Sequence, residues 1–331
     1  VAASVSEWFR CVGLRGIVLV ALACPTLAPA QRQMEDLGRG VVALPQAAGR
    51  VYVGWRLLGT DPDDLTFNLY RATGLPAGVG DATPIRLNAT PLATTTDFLD
   101  TTAPTAAADP TATLSYFVRP ILAGVEQPAS TAFRIRTGAT PLPYLSLPIS
   151  PPPGGVTPDN VTYSYSANDA SAADLDGDGE YELILKWDPS NSKDNSQSGH
   201  TGKVFLDAYQ LDGTRLWRID LGRNIRAGAH YTQFQVYDLD GDGRAELACK
   251  TADGTVDGRG TVIGDATADF RNRDGYILTG PEFLTVFDGL TGAALATTNY
   301  LPARNNNPAS PDVSAWGDNY GNRVDRFLAA V

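Results

Sequence analysis

Basic residues are scarce in this 331-residue chain. Its 26 lysine and arginine residues are outnumbered by 37 aspartate and glutamate residues, which gives a formal net charge of −11, and lysine occurs only at positions 186, 193, 203 and 250. A surface that binds nucleic acid needs dense positive charge. The composition therefore argues against a nucleic-acid partner, while 43% hydrophobic residues remain typical of a globular protein.

Common catalytic signatures are also missing. The sequence has no Gly-x-Ser-x-Gly elbow and no phosphate-binding loop. It contains two histidines, His200 and His230. A lone histidine is more often packed or on the surface than catalytic. We expect His200 to be a packed or surface residue, and for His230 a structural role and a catalytic role both stay open.

The sequence has no long apolar run, and its clearest apolar segment is a short one near the N-terminus. Arg10 and Arg15 precede an apolar run at 16–24, and small residues follow at 28–30. This pattern predicts a secretory signal peptide over residues 1–30, since the run is too short for a stable membrane span. The protein is then secreted or extracytoplasmic.

Cysteine is too rare to supply a disulfide. Cys11 and Cys24 leave with the signal peptide, so Cys249 alone remains, and an intrachain disulfide is excluded. Stability must then come from packing or from a bound metal. An alternative lipoprotein form stays open, because residues 22–24 resemble the end of a lipobox.

What the sequence has in abundance is turn residues, with 33 glycines and 23 prolines. Between residues 31 and 145 they separate stretches in which apolar and polar residues alternate, a pattern typical of short β-strands in a sandwich. The clearest stretches are 51–58, 66–71, 115–122 and 131–137. Residues 146–160 are rich in proline and predict an extended linker between two domains.

Residues 161–331 contain an internal repeat. The segment DLDGDGEYELILKW at 174–187 returns as DLDGDGRAELACKT at 238–251, an offset of 64 residues. Hairpins with an Asp-Gly turn are predicted after each copy, at 204–217 and 284–295. Repeated units of short strands indicate a β-propeller or a solenoid, with long loops at 188–202 and 252–282.

Each copy of the repeat carries a candidate calcium loop. Acidic side chains at alternate positions, a glycine for the turn and a later glutamate supply the hard oxygen ligands that calcium prefers, with one backbone carbonyl in the middle. The predicted ligands are Asp174, Asp176, Asp178, the Glu180 carbonyl and Glu182, and then Asp238, Asp240, Asp242, the Arg244 carbonyl and Glu246. A solvated acidic turn is the alternative. The glutamate comes earlier than in an EF-hand, and a strand-like segment follows.

Several segments together resemble the rhamnogalacturonan lyases of polysaccharide lyase family 11. They are 33–42, 52–61, 164–169, 186–195 and 227–234. The resemblance implies an all-β protein in which an immunoglobulin- or fibronectin-like β-sandwich precedes the first blades of an eight-bladed, calcium-binding β-propeller. Because the chain ends inside an apolar run at 325–331, we expect it to be the N-terminal part of a longer enzyme, inactive by itself, and a monomer when complete.

The resemblance also implies a reaction. The family cleaves the rhamnogalacturonan I backbone of pectin by β-elimination and leaves an unsaturated galacturonate, and calcium or a basic cluster such as Arg223 and Arg226 would offset the charge of the substrate. Asn168 and Asp188 match family positions that contact galacturonate, and we expect the first acidic loop to hold both at one rim. The catalytic base and the choice between endo and exo cleavage stay open.

A second function of a different class also stays open. Calcium-binding propellers also serve as carbohydrate-binding or adhesion modules, and a fold alone does not determine a function. The alternative is therefore a calcium-dependent carbohydrate-binding or adhesion module without catalysis. Aromatic residues such as Trp187, Tyr231 and Trp316 are candidates for stacking on sugar rings, although aromatic residues in blades are more often part of the core.

Overall fold

The structure is a computed structural model that describes residues 35–74, 83–104 and 112–326. The predicted signal peptide at 1–30 and the apolar residues 327–331 lie outside these ranges. The described residues belong to one compact unit, 33–331. They form an all-β fold of twenty strands and two short 3-10 helices, Ala47–Gly49 and Ser314–Trp316, and the described ranges contain no α-helix. None of their helices is long and apolar enough to cross a bilayer.

The N-terminal part consists of two antiparallel sheets with a shared core. Alternating side chains of Val51, Val53, Phe67 and Leu69 are buried between them, as expected for strands with one buried face. One sheet has the order β1-β2-β5, and the other has the order β4-β3-β6-β7 with β8 also paired to β6. The strands are β1 Val42–Gln46, β2 Arg50–Gly54, β3 Thr66–Gly74, β4 Ile85–Arg86, β5 Asp97–Asp100, β6 Thr113–Leu122, β7 Val125–Glu126 and β8 Phe133–Arg136.

A buried ion pair joins the two sheets. Arg71 of β3 contacts the carboxylate of Asp100 of β5, and the Tyr116 hydroxyl donates a hydrogen bond to the same Asp100 carboxylate at 2.9 Å. All three side chains are buried. Because a buried charge without a partner is costly, this contact fixes how the two sheets face each other.

The predicted linker is docked rather than free. A small hairpin of β9 Gly155–Val156 and β10 Thr162–Tyr163 begins inside the linker and ends just beyond it. The carbonyl of Ser150 accepts hydrogen bonds from the Tyr209 hydroxyl at 3.4 Å and from Arg218 Nη2 at 3.2 Å. These contacts tie the linker to the sheet that follows it.

The two copies of the repeat form two neighbouring sheets. The first has the order β11-β12-β13-β14-β17-β18, and the second has the order β15-β16-β19-β20. The strands are β11 Tyr165–Ala173, β12 Glu182–Pro189, β13 Phe205–Tyr209, β14 Arg215–Asp220, β15 Phe234–Tyr237, β16 Glu246–Ala252, β17 Thr255–Val256, β18 Val262–Ile263, β19 Glu282–Phe287 and β20 Ala294–Asn299. Both predicted Asp-Gly hairpins are present, β13–β14 and β19–β20.

One core joins these two sheets. Leu206 and Ile219 of the first sheet pack in the same buried cluster as Leu247 and Phe287 of the second. The long loop predicted at 252–282 is partly wrong, since β17 and β18 lie inside it and extend the first sheet beyond β14. This extension satisfies backbone groups that would otherwise stay unpaired at an edge.

Candidate functional site

The first acidic loop connects β11 to β12 and folds around Asp174. The two carboxylate oxygens of Asp174 accept hydrogen bonds from the backbone N–H groups of Gly177 and Gly179, at 2.7 and 2.8 Å. Both glycines have positive φ, 82° and 85°, a conformation that side chains with a Cβ disfavour. Glu182 then reaches back and accepts a hydrogen bond from the N–H of Leu175 at 2.8 Å.

The second acidic loop, between β15 and β16, repeats this arrangement. Asp238 accepts hydrogen bonds from the N–H groups of Gly241 and Gly243, at 2.5 and 3.1 Å, and Glu246 accepts one from the N–H of Leu239 at 2.7 Å. The 64-residue repeat in the sequence is therefore a repeat of hydrogen bonds as well.

Each loop gathers three carboxylates around one point. One oxygen from each side chain lies within 4.8 Å of the other two, and the groups are Asp174, Asp176 and Glu182 in the first loop and Asp238, Asp240 and Glu246 in the second. The predicted ligands Asp178 and Asp242 lie outside these groups. The Asp178 carboxylate accepts a hydrogen bond from the N–H of Glu180 at 2.8 Å, and the Asp242 carboxylate forms an ion pair with Arg244 at 2.7 Å.

The environment of these carboxylates suits a bound cation. Burial raises the pKa of Asp174 and of Glu246, and it raises the pKa of Glu182 to about 7, with smaller contributions from the neighbouring acidic groups. A cation at the centre would favour the charged forms. Three carboxylate oxygens form a hard donor set that fits calcium. The middle carbonyls of Glu180 and Arg244 stay predicted ligands.

The first loop also contacts the N-terminal sandwich. The carbonyl of Gly179 accepts hydrogen bonds from the N–H of Gly38 at 2.6 Å and from Arg56 Nη1 at 3.3 Å. The Arg56 guanidinium lies over the ring of Tyr181, 4.0 Å from its centroid. Arg56 Nη2 is 4.0 Å from Glu180 Oε2. This loop is therefore part of the contact between the two halves of the compact unit.

A second group of polar residues lies at the other end of the β11–β12 hairpin. The pairing of the two strands shifts between Ala167 and Ala170, so Asn168 and Asp169 form a β-bulge. Both residues are exposed. Bulges redirect side chains and are common next to active sites. This bulge presents Asn168 and Asp169 to solvent beside Asp188, which lies opposite Ser166.

Lys186 and Asp188 complete this polar group, which we call the bulge site and define as Asn168, Asp169, Lys186 and Asp188. Lys186 Nζ is 2.5 Å from Asp169 Oδ2. Burial raises the pKa of Asp188, against a hydrogen bond with Ser192 and the positive charge of Lys186, which lower it. The bulge site thus combines an amide, an ammonium and two carboxylates, which suits binding of a polar, charged ligand.

The bulge site and the first acidic loop lie at opposite ends of the same hairpin. Glu182 begins β12 and Asp188 is six residues further along, which at ~3.3 Å per residue corresponds to about 20 Å. Asn168 and Asp188 therefore lie toward the same end of this hairpin, and the first acidic loop lies at its other end.

The two histidines differ in their surroundings. His230 is exposed, and its Nδ1 lies 2.7 Å from Asp194 Oδ2, which also pairs with Arg326 Nη2 at 2.7 Å. His200 is half-buried, and its backbone N–H donates to Asp159 at 3.1 Å. His230 thus has a carboxylate partner that orients its ring, a geometry compatible with proton transfer.

Arg226 does not contribute to a basic surface. Its side chain is buried, and its guanidinium donates hydrogen bonds to the carbonyls of Lys193 at 3.1 Å, Gly199 at 2.9 Å and Gln197 at 2.8 Å, and also to that of Gly275. The expectation that Arg226 offsets the charge of a substrate is therefore wrong. A cationic side chain surrounded by carbonyls stabilises the loop instead.

The aromatic candidates also belong mostly to the scaffold. Trp187 and Tyr231 are buried. The Trp187 indole donates to Asp207 at 2.8 Å, and the Tyr231 hydroxyl donates to Asn322 at 2.8 Å. Trp316 is half-buried. Buried aromatic rings with satisfied polar atoms are unavailable for stacking on a sugar.

Two buried lysines at equivalent positions of the two repeats, Lys186 and Lys250, were not among the predicted site residues. Lys186 belongs to the bulge site, and Lys250 lies between Glu282 at 2.7 Å and Asp325 at 3.2 Å. The two lysines are separated by the repeat offset of 64 residues. In a chain so poor in lysine, this coincidence is a signal that could have identified both.

Two protein families match the chain, and together they cover most of it. One, described as "Rhamnogalacturonan I lyases beta-sheet domain", matches residues 32–135. The other, described as "Rhamnogalacturonan lyase family 11, C-terminal domain", matches residues 144–331. The chain belongs to rhamnogalacturonan lyase family 11. Both acidic loops and the bulge site fall in the second matched range.

Individual members of the family are similar along nearly the whole chain. Rhamnogalacturonan endolyase YesW of Bacillus subtilis (strain 168) is 54% identical over 316 residues, which are 95% of this chain and 46% of that protein. Rhamnogalacturonan exolyase YesX of the same organism is 54% identical over 305 residues, which are 92% of this chain and 45% of that protein. The chain thus spans somewhat less than half the length of these curated relatives.

Solved structures of the family share the fold. The crystal structure of exotype rhamnogalacturonan lyase YesX matches with a TM-score of 0.76 at 54% identity and covers 90% of this chain and 44% of that chain. The rhamnogalacturonan lyase of Bacillus licheniformis matches with a TM-score of 0.75 at 56% identity, with 89% and 46% covered.

Proposed function

We propose that the protein is a secreted rhamnogalacturonan lyase that cleaves the rhamnogalacturonan I backbone of pectin by β-elimination. The observation that carries this proposal is the 54% identity over 316 residues to a rhamnogalacturonan endolyase. An exolyase is equally identical, so the reaction is proposed without a choice between internal and terminal cleavage.

The proposed reaction removes a proton from the carbon next to the galacturonate carboxylate. The bond to the leaving-group oxygen on the adjacent carbon then breaks, that oxygen takes up a proton, and an unsaturated galacturonate remains. Negative charge accumulates on the carboxylate during this step, so groups that offset it lower the barrier.

Asn168 and Asp188 are the proposed substrate contacts. Both lie at one rim of the β11–β12 hairpin, Asn168 exposed on the bulge and Asp188 half-buried opposite it. A side-chain amide and a carboxylate are hydrogen-bonding partners for sugar hydroxyl groups. His230 precedes Tyr231, whose backbone carbonyl lies 3.5 Å from Lys186 Nζ. The segment that carries His230 therefore lies next to the bulge site.

The acidic loops are the proposed calcium sites, and their role is structural. Glu182 and Asp188 are about 20 Å apart along β12. A cation in the loop is therefore too far away to touch a sugar bound at the bulge site. Calcium there would supply positive charge to the three carboxylates of each loop, two of which are buried, and hold the hairpin ends. We further propose that the two sheets of the repeat are blades of a β-propeller and that the N-terminal sheets are an immunoglobulin- or fibronectin-like sandwich.

The test is incubation of the full-length protein that carries this chain with rhamnogalacturonan I while ultraviolet absorbance of the unsaturated product is followed. The proposal expects absorbance to rise with time and to depend on enzyme concentration. Binding of the polysaccharide without any rise in absorbance would instead support a carbohydrate-binding module. Homogalacturonan at the same concentration is the control for the substrate.

A further inference from the structure

Lys186 faces the bulge of β11 from the neighbouring strand. The pairs that flank the bulge are Ala167 with Trp187 and Ala170 with Leu185, so Lys186 lies opposite the two residues that have no partner in the ladder. It is 2% exposed. The stem of a long side chain packs well in such a position, but its charge requires a partner.

The partner is the bulge itself. Lys186 Nζ lies 2.5 Å from Asp169 Oδ2, and it donates a longer hydrogen bond of 3.5 Å to the carbonyl of Tyr231. Because Asn168 precedes Asp169 in the bulge, a contact that anchors Asp169 also restrains the backbone of Asn168. Asp188 lies two residues beyond Lys186 and therefore on the same face of β12.

The equivalent lysine of the second repeat has different surroundings. Lys250 pairs with Glu282 and Asp325, whose side chains are 9% and 7% exposed. Its charge is therefore used inside the fold. The side chain of Asp169, in contrast, is 59% exposed. The ion pair of Lys186 opens onto the surface where Asn168 and Asp188 lie.

We propose that Lys186 is a positioning residue of the substrate site: through Asp169 it holds the bulge that presents Asn168, and its charge offsets the carboxylates that a galacturonate residue would meet. This inference rests on the proposed function for the identity of the ligand. The placement of Asn168 by Lys186 rests on the geometry of the bulge alone.

The experiment compares Lys186→Met with Lys203→Met, each in the full-length protein that carries this chain. Methionine keeps most of the apolar stem and removes the ammonium. Lys203 is a matched control because it also pairs with an aspartate 17 residues away at 2.5 Å, Asp220, but this pair joins β14 to the loop before β13, and its side chains are 44% and 22% exposed. We expect Lys186→Met to raise the KM for rhamnogalacturonan I by about tenfold or more while kcat changes by less than about threefold, because ground-state contacts are lost.

Lys203→Met should keep both constants within about twofold of the wild type. Asp169→Asn is a second variant, at an exposed side chain, for the case in which Lys186→Met does not fold. It should raise KM in the same direction by a smaller factor, because the asparagine still accepts a hydrogen bond from Lys186 but carries no charge. An unchanged KM in folded Lys186→Met would overturn the proposal. If Lys186→Met does not fold, an unchanged KM in Asp169→Asn would overturn it.

A crystal structure of each folded variant gives a readout that needs no substrate. The proposal expects residues 168–169 to shift in Lys186→Met and to keep their position in Lys203→Met. A bulge in the same position in both variants would refute positioning by Lys186. If the wild type has no lyase activity, the proposed function fails, and this structural comparison still decides whether Lys186 positions Asn168.

Discussion

The two repeats agree at one end of their first hairpin and differ at the other. Next to the acidic loops the strand registers are the same, since Ala173 pairs with Glu182 and Tyr237 pairs with Glu246, each 64 residues apart. The agreement continues for four residue pairs, as far as Ala170 with Leu185 in the first repeat. The hydrogen bonds inside the loops also correspond. This end of each repeat is common scaffold.

At the other end the repeats diverge. β11 continues through the bulge to Tyr165, whereas β15 begins at Phe234. The positions that correspond to Asn168, Asp169 and Asp188 hold Thr232, Gln233 and Ala252. The acidic-loop end thus has the same structure in both repeats, while the opposite end of the first repeat alone carries the polar side chains of the proposed substrate site.

Removal of metal tests the shared end and should have the largest effect. If both loops hold calcium, a chelator leaves three clustered carboxylates in each loop, two of them buried, without their cation. We expect the Tm to fall by about 10 °C or more, measured by calorimetry with and without chelator. Excess calcium should restore it. A Tm that does not respond to chelator would show that the loops are metal-free acidic turns.

Single substitutions test whether the two shared ends are equally important. Asp174→Asn should lower the free energy of unfolding by about 3 kcal/mol, and Asp238→Asn by about 2 kcal/mol. The first loop also contacts the sandwich through Gly179, so its loss affects more of the fold. Urea denaturation measures both values. Asp212→Asn, at an exposed turn where the side chain accepts a hydrogen bond from Thr214, is the control and should change stability little. A larger effect at Asp238 would contradict this order.

The divergent end is tested by activity. In the full-length protein that carries this chain, Asn168→Ala and Asp188→Ala should each lower kcat/KM on rhamnogalacturonan I by about tenfold or more, a loss of about 1.4 kcal/mol or more, while the Tm stays within a few degrees. Thr232→Ala, at the equivalent place in the second repeat, should leave kcat/KM unchanged. Equal kinetics in all three variants would assign the bulge residues to the scaffold.

The smallest effect is expected at Thr232 itself. This buried residue has φ of 61°, and its hydroxyl has no hydrogen-bond partner among the described residues. A β-branched residue is disfavoured at positive φ. Thr232→Gly should therefore raise the Tm by about 1–2 °C. Thr232→Ala keeps the Cβ and therefore separates the effect of the hydroxyl from that of the backbone. A lower Tm in the glycine variant alone would contradict the prediction that the backbone at Thr232 is strained.

Much of the fold could be predicted from local patterns. Alternating residues at 66–71 and 115–122 correspond to β3 and β6, which extend a few residues further, to Thr66–Gly74 and Thr113–Leu122. The Asp-Gly turns predicted both hairpins. The short strands β17 and β18 were missed, because two-residue strands depend on pairing with β14 and leave almost no periodic signal.

The candidate site was predictable only in part. The spacing of acidic residues correctly brought Asp174, Asp176 and Glu182 together, since a loop of fixed length determines their positions. The bulge at Asn168 was not predictable, because it depends on the register between two strands. Arg226 was misassigned because nothing in its local sequence shows that four distant carbonyls surround it.

The first acidic loop has a neighbour on each side. Its Gly179 carbonyl binds the N-terminal sandwich, and its Asp174 carbonyl accepts a hydrogen bond from the N–H of Ala245 in the second loop, at 2.8 Å. An inserted or deleted residue here would break both contacts at once. The number of residues between Asp174 and Gly179 must therefore stay constant if the second acidic loop and the N-terminal sandwich are both to remain attached to this loop.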